Sequence, residues 1–268
     1  LQQRVRKLRT PEPEDVKALL ELKFREFNNS SFIADDPVAV PHIFHSKEDR
    51  EIAGFLAATI AWGQRPVIVK NGMRIASLLQ NAPHEFVLNA SQKDLNRLKT
   101  FVHRTFNGED LVQFIRLLRK LYEEHASMES VFADGLKADG NMMNAITHFR
   151  TEFLKPRHHE HCEKHISDPS KGSSAKRINM FLRWMVRKDN GGVDFGIWKN
   201  ISPEQLMIPL DVHVGNVARH LGILQRKQDD RKAAEELTEA LRKFDNKDPV
   251  KYDFALFSMG ITGFVKQQ

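Results

Sequence analysis

Apolar residues recur every three or four positions along almost the whole chain, a period that admits helices and little else. Val16, Leu19, Leu20, Phe24 and Phe27 form one stripe, Leu111, Phe114, Ile115, Leu118 and Tyr122 a second, and Met142, Ile146, Phe149 and Phe153 a third. A helical side chain returns to the same face after about 3.6 residues, so each set lines one side of a helix. No comparable alternation at period two is present, which predicts an all-α fold. Ile52 to Ala61 is almost wholly small or apolar. A helix without a polar face must be enclosed by others, which puts this segment at the hub of the core, and Tyr252 to Phe264 reads the same way. Asp35-Asp36-Pro37, Asn107-Gly108, Asp139-Gly140, Asp168-Pro169 and Asn190-Gly191-Gly192 divide the pattern into loops. The 268 residues suffice for one large domain or for two lobes sharing a cleft.

Forty-one Lys and Arg against 35 Asp and Glu give a net charge of +6, which favours an anionic partner such as nucleic acid. The densest stretch of one sign is Lys171 to Lys188, with Lys171, Lys176, Arg177, Arg183, Arg187 and Lys188 and no acid. Arg4, Arg6, Lys7 and Arg9 crowd the start and read as a solvated, frayed terminus. The single cysteine, Cys162, excludes an intramolecular disulfide and an iron–sulfur cluster held by four cysteines of one chain. A reducing cytoplasm is the expected setting. No apolar run approaches the roughly 20 residues that cross a bilayer, and the basic start has no signal-peptide pattern, so no membrane partner is expected.

Two residues stand in settings suited to chemistry. Asp211 is placed to cap a helix, because Val214, Val217, Ala218 and Leu221 then recur at helical spacing and Gly222 follows as a stop. Lys176 opens another helix behind Ser173 or Ser174 as cap, with Ile178, Phe181, Leu182 and Met185 as its apolar stripe. A cation in the first turn opposes the helix dipole and Arg177 adds like-charge repulsion, so the lysine is expected to lose its proton more easily, as an amine nucleophile requires.

Gly172-Ser173-Ser174-Ala175-Lys176 followed by Leu210-Asp211-Val212-His213 resembles the hairpin lysine and downstream aspartate of the helix-hairpin-helix DNA glycosylase superfamily. Pro209 to Val214 and Leu256-Phe257-Ser258 are most similar to its 8-oxoguanine branch. The pattern, Arg183-Trp184-Met185-Val186-Arg187 included, also resembles an uncharacterised bacterial family related to those enzymes. The resemblance implies a single helical unit, 1–268, of two-lobed glycosylase-like fold with a helix-hairpin-helix element and a cleft between approximate lobes at 50–165 and at 1–49 plus 166–268. It implies base excision and abasic-site lyase activity on DNA carrying a damaged base, by a monomer without metal or cofactor, in the cytoplasm at the nucleoid. By the same resemblance Lys176 is the nucleophile and Asp211 stabilises the cation that develops on the sugar. Phe257, Asp253 and Met180 stand at the base pocket, where Asp253 replaces a glutamine and Met180 a cysteine. Gln64 and Arg65 occupy the wedge position. Gly172, Ser173, Ser174, Lys171, Arg177, Arg183 and His213 fall where DNA phosphates are held. Ser174 replaces the second hairpin glycine, and an insertion around residues 190–203 lengthens the spacing from Lys176 to Asp211.

Each feature has a plainer reading. Helix capping alone explains Asp211, and an isolated Lys176 is an ordinary surface lysine. A non-catalytic nucleic-acid-binding protein of the same fold is the alternative, and a helical interaction protein that binds no nucleic acid is a third class. The run His158-His159-Glu160-His161-Cys162-Glu163-Lys164-His165 looks like a metal site, since His161 and His165 are four apart. No second cysteine pair exists and Cys162 points away from that face, so a solvated loop or a phosphate-facing surface is expected. His103-Arg104 reads as a surface pair. Trp62, Trp184 and Trp198 read as core or cleft wall, and His213 as bonding a nearby backbone group.

Overall fold

Side-chain caps decide where most of the helices begin. The computed structural model describes residues 12–264, so the cluster Arg4, Arg6, Lys7 and Arg9 lies outside the described residues. In chain order the helices are α1 Pro13–Phe27, α2 Ala39–His42, α3 Lys47–Thr59, α4 Arg65–Leu78, α5 Pro83–Asn89, α6 Gln92–Leu98 and α7 Gly108–Glu124. They continue as α8 Met128–Leu136, α9 Met142–Leu154, α10 Lys176–Val186, α11 Val212–His220, α12 Arg231–Arg242 and α13 Asp253–Ile261. Ser46 caps α3, Asn107 and Ser127 open α7 and α8 with capping boxes, and Asp230 caps α12. Each supplies an acceptor for orphan N–H groups of the first turn. The fold is thus mostly helical, as the periodicity requires. Within this all-α fold sits a small antiparallel hairpin, β1 Val102–His103 with β2 Phe106–Asn107, turning through Arg104 at φ 55°. Strands of two residues are too short to show an alternation.

Helix α3 is the hub expected of Ile52 to Ala61: every residue from Glu51 to Thr59 is buried. Gly54 lets α10 approach closely, since a Cβ there would stand 3.0 Å from Met185 Cε and 3.4 Å from Phe181 Cε2. The Phe55 ring packs against Phe114, Phe149, Phe153 and Phe181, drawing α7, α9 and α10 onto one centre. The Glu51 carboxylate is wholly enclosed and accepts hydrogen bonds from Tyr122 Oη at 2.7 Å, Trp198 Nε1 at 2.7 Å and Met128 N at 3.3 Å. Burial pushes its pKa up, and these donors oppose the shift.

Helix α13 is held from two sides. Tyr252 Oη donates to Glu21 Oε1 at 2.7 Å and Phe24 packs on Phe254, which seats α1 on α13. On the other flank Gly260 brings α13 against α11, where a Cβ would meet His213 Cβ at 2.8 Å and His213 O at 3.0 Å. Among the described residues no helix is long and apolar enough to cross a membrane.

Candidate active site

The loop before α10 is built by short polar residues. A 3-10 turn, Pro169–Lys171, precedes it, with the Asp168 side chain accepting from Ser170 N. Gly172 follows at φ 90°, a left-handed conformation that glycine adopts without steric cost. Neither serine caps α10, contrary to the expectation. The cap position is Ala175, itself left-handed at φ 50°, and Ser173 Oγ instead accepts the Ala175 N–H at 3.1 Å. Ser174 Oγ donates to Leu210 O at 3.4 Å and so ties this loop to the segment that delivers Asp211.

Asp211 caps α11 as expected, Oδ1 accepting from His213 N at 2.9 Å and Val214 N at 3.0 Å. The other oxygen, Oδ2, lies 3.6 Å from Lys176 Nζ, and both side chains are about three-quarters buried. Two residues 35 positions apart therefore meet. They meet at a cavity of about 450 Å³ whose walls include Phe32, Trp62, Met180, Asp253 and Phe257. The apolar lining suits a flat ring, and the amine and carboxylate supply its polar edge.

Several expected site residues take other roles. Arg183 is no phosphate ligand: it is 3% exposed and pairs with Asp194 and Asp253. Arg187, one turn on, is also buried, against Asp189, Asp194 and Asp248. The run Lys171 to Lys188 therefore does not form one basic face, because a buried guanidinium must find carboxylates. Lys171 and Lys188 are exposed. The Arg177 guanidinium lies over the Trp62 ring, 4.8 Å from its centroid, and donates to Thr59 O and His165 O. Turned inward in this way, Arg177 is neither crowded onto the Lys176 amine nor presented to a phosphate. Burial lowers its pKa to about 10.

Asp253 lines the cavity, but its carboxylate already accepts from Arg183 Nη1. Burial raises its pKa to about 6, Arg183 opposing the shift and Asp211 adding to it. Gln64 is exposed at the turn after α3, whereas Arg65 folds back and does not project as a wedge. It pairs with Asp36 Oδ2 at 2.9 Å and lies over Phe257, 5.1 Å from the ring centroid, and Phe32, at 5.6 Å. His213 donates through its backbone N–H to Asp211, and its exposed ring stands edge-on to Phe257 at 6.3 Å, in place of the backbone bond expected of it. Sequence reasoning missed Phe32 and Asp36. Nothing near Asp36 in the chain signals that it holds Arg65.

The histidine run is not a solvated loop. Glu160–His165 is a 3-10 turn that buries Cys162 and His165. Burial raises the Cys162 thiol to about 11 and lowers His165 to about 4. The His165 ring stacks on Trp62, and His161 Nδ1 lies 2.6 Å from Asp110 Oδ1. His103 is buried as well, bonded to Asn71 Nδ2 at 2.8 Å and packed edge-on to Trp62, so it is not a surface residue. Trp184 and Trp198 are core, and Trp62 walls the cavity.

Fold and site together define a helical protein in which an amine and a carboxylate converge at an aromatic-lined cavity. The chain belongs to the family described as "Protein of unknown function (DUF2400)", which matches residues 36–262. No curated protein and no solved structure matches it.

Proposed function

We propose that the protein is a DNA base-excision glycosylase with abasic-site lyase activity, acting on an oxidised or otherwise damaged base. The observation that carries this reading is the 3.6 Å approach of Lys176 Nζ to Asp211 Oδ2 beside a cavity large enough for one extruded base. As the bond between the base and C1′ breaks, the base leaves with the electron pair, and the Asp211 carboxylate stabilises the cation left on the sugar. Asp211 Oδ2 accepts a proton from the Lys176 ammonium, and the amine attacks C1′. The proton lost by the nitrogen passes to O4′ as the sugar ring opens to a Schiff base, and loss of a C2′ proton to water then drives β-elimination, which breaks the C3′–O bond and expels the 3′ phosphate. Phe257 is the stacking surface for the base, and Met180 lines the same pocket. The turn Pro169–Lys171, the loop Gly172 to Ser174 and α10 act as the hairpin, with exposed Lys171 meeting phosphate. Gln64, exposed beside the cavity, fills the gap in the duplex. The partner is DNA with a damaged base or an abasic site, bound by a monomer in the cytoplasm at the nucleoid.

Borohydride reduction in the presence of DNA carrying 8-oxoguanine or an abasic site tests this reading. The wild type is expected to give a covalent protein–DNA complex that Lys176→Ala abolishes; equal trapping by both removes the nucleophile. A second reading, a non-catalytic nucleic-acid-binding protein of the same fold, draws support from Arg65, which lies over the stacking face of Phe257. Binding to abasic DNA that leaves the strand intact after long incubation decides for it.

A further inference from the structure

The turn Glu160–His165 carries two imidazoles to a carboxylate that the sequence gives no reason to associate with them. Asp110 lies in the first turn of α7, 51 residues before His161. One donor atom from each of Asp110, His161 and His165 falls within 4.8 Å of the others. His161 Nδ1 is 2.6 Å from Asp110 Oδ1, and His165 Nε2 is 3.4 Å from Asp110 Oδ2. The carboxylate is fixed, because it also accepts the Asn107 N–H at 2.9 Å in the capping box of α7. An independent observation points to a ligand. His165 is 4% exposed, and its buried Nε2, aimed at the cluster, makes no hydrogen bond of good geometry, Asp110 Oδ2 standing 3.4 Å away. A buried polar atom left in that state costs stability, and a metal ion accepting the imidazole lone pair removes the cost.

We propose that Asp110, His161 and His165 form a binding site for a divalent first-row transition metal of the zinc class. Two imidazoles with one carboxylate suit zinc and its neighbours, whereas magnesium and calcium take oxygen ligands. His161 is about half exposed and gives the ion a way in from solvent. In the absence of metal, Lys164 Nζ donates to His161 Nε2 at 2.6 Å, which places the His161 N–H on Nδ1, facing Asp110. Metal at Nδ1 moves that proton to Nε2 and releases Lys164, an exposed side chain, to water. Three protein ligands leave coordination positions for water or an anion. The bound ion pins the turn to α7 and with it the His165 ring, which stacks on Trp62 in the cavity wall.

The test is metal uptake by the full chain, read without any assay of activity, so that its failure and the failure of the Lys176 reading are separable. Protein stripped with a chelator is titrated with Zn²⁺ alone and with Co²⁺ alone, following cobalt absorption in the visible and metal content by mass spectrometry. One ion per chain is expected, and His161→Ala, at an exposed position that leaves the fold intact by circular dichroism, weakens binding by about tenfold or more. Asp110→Asn reports the same loss wherever it folds. His125→Ala, in the separate group Glu124, His125 and Glu152, leaves uptake unchanged. No stoichiometric uptake, uptake indifferent to His161→Ala, or uptake lost in His125→Ala overturns the proposal.

Discussion

Asp211 divides its two oxygens between a structural and a chemical task, and the division can be separated by substitution. Oδ1 closes the N-terminus of α11 and Oδ2 faces the Lys176 amine. Asparagine caps a helix as well as aspartate does but carries no charge. Asp211→Asn is therefore expected to keep its thermal midpoint within a few degrees of wild type, while the rate of borohydride trapping falls by roughly 100-fold or more. Asp211→Ala loses the cap too, which costs about 1 kcal/mol by urea denaturation. Asn-for-Asp activity near wild type would mean that the carboxylate has no part in the chemistry. Both residues of this pair could be named from the sequence, because a cap signal and a helix start are local. Arg183 could not be placed, because its partners Asp194 and Asp253 are separated from it in the chain and only folding brings them together.

At the level of the elements, one side of the site is an interface between α11 and α13, and its spacing is set by Gly260. A Cβ there would stand 2.8 Å from His213 Cβ and 3.0 Å from the His213 carbonyl oxygen, which cannot swing aside as a side-chain tip can. Gly260→Ala is expected to force the two helices apart and to cost about 1–3 kcal/mol, measured by urea denaturation. An unchanged midpoint would show that the helices have room to spare. The helices themselves were legible in the sequence: the stripes through α1, α7 and α9, the enclosed α3 and the stop at Gly222 (φ 74°) all follow from residue spacing. The cap of α10 was not. A serine before a helix is the common cap signal, and the left-handed Ala175 that takes the position depends on Ser173 Oγ and on the bond from Ser174 to Leu210, which no local rule encodes. The pairing of His161 with Asp110 escaped for the same reason, and the hairpin at Val102–Asn107 because strands of two residues show no alternation.

For the whole molecule, the buried charges around Asp253 couple stability to pH. In the unfolded chain its carboxyl group has the ordinary value of 3.8, and in the folded protein burial raises it to about 6. Between these values the native state holds a proton that the unfolded chain has released, so this group's contribution to stability falls as pH rises through that window. Asp253→Asn removes the effect. The thermal midpoint of the variant minus that of the wild type is expected to become more positive between about pH 4 and pH 7, by the equivalent of up to about 3 kcal/mol. A difference that stays flat across this range would show that Arg183 keeps the carboxylate ionised throughout. The same helix has a further consequence through its seat on α1, where Tyr252 and Glu21 bond across 231 residues of chain. A ribosome adding about 5–20 residues per second needs roughly 10–50 s to cover that distance. During that interval the face of α1 that meets α13 lacks its partner, and the wall bearing Phe257 is completed only once α13 has left the ribosome.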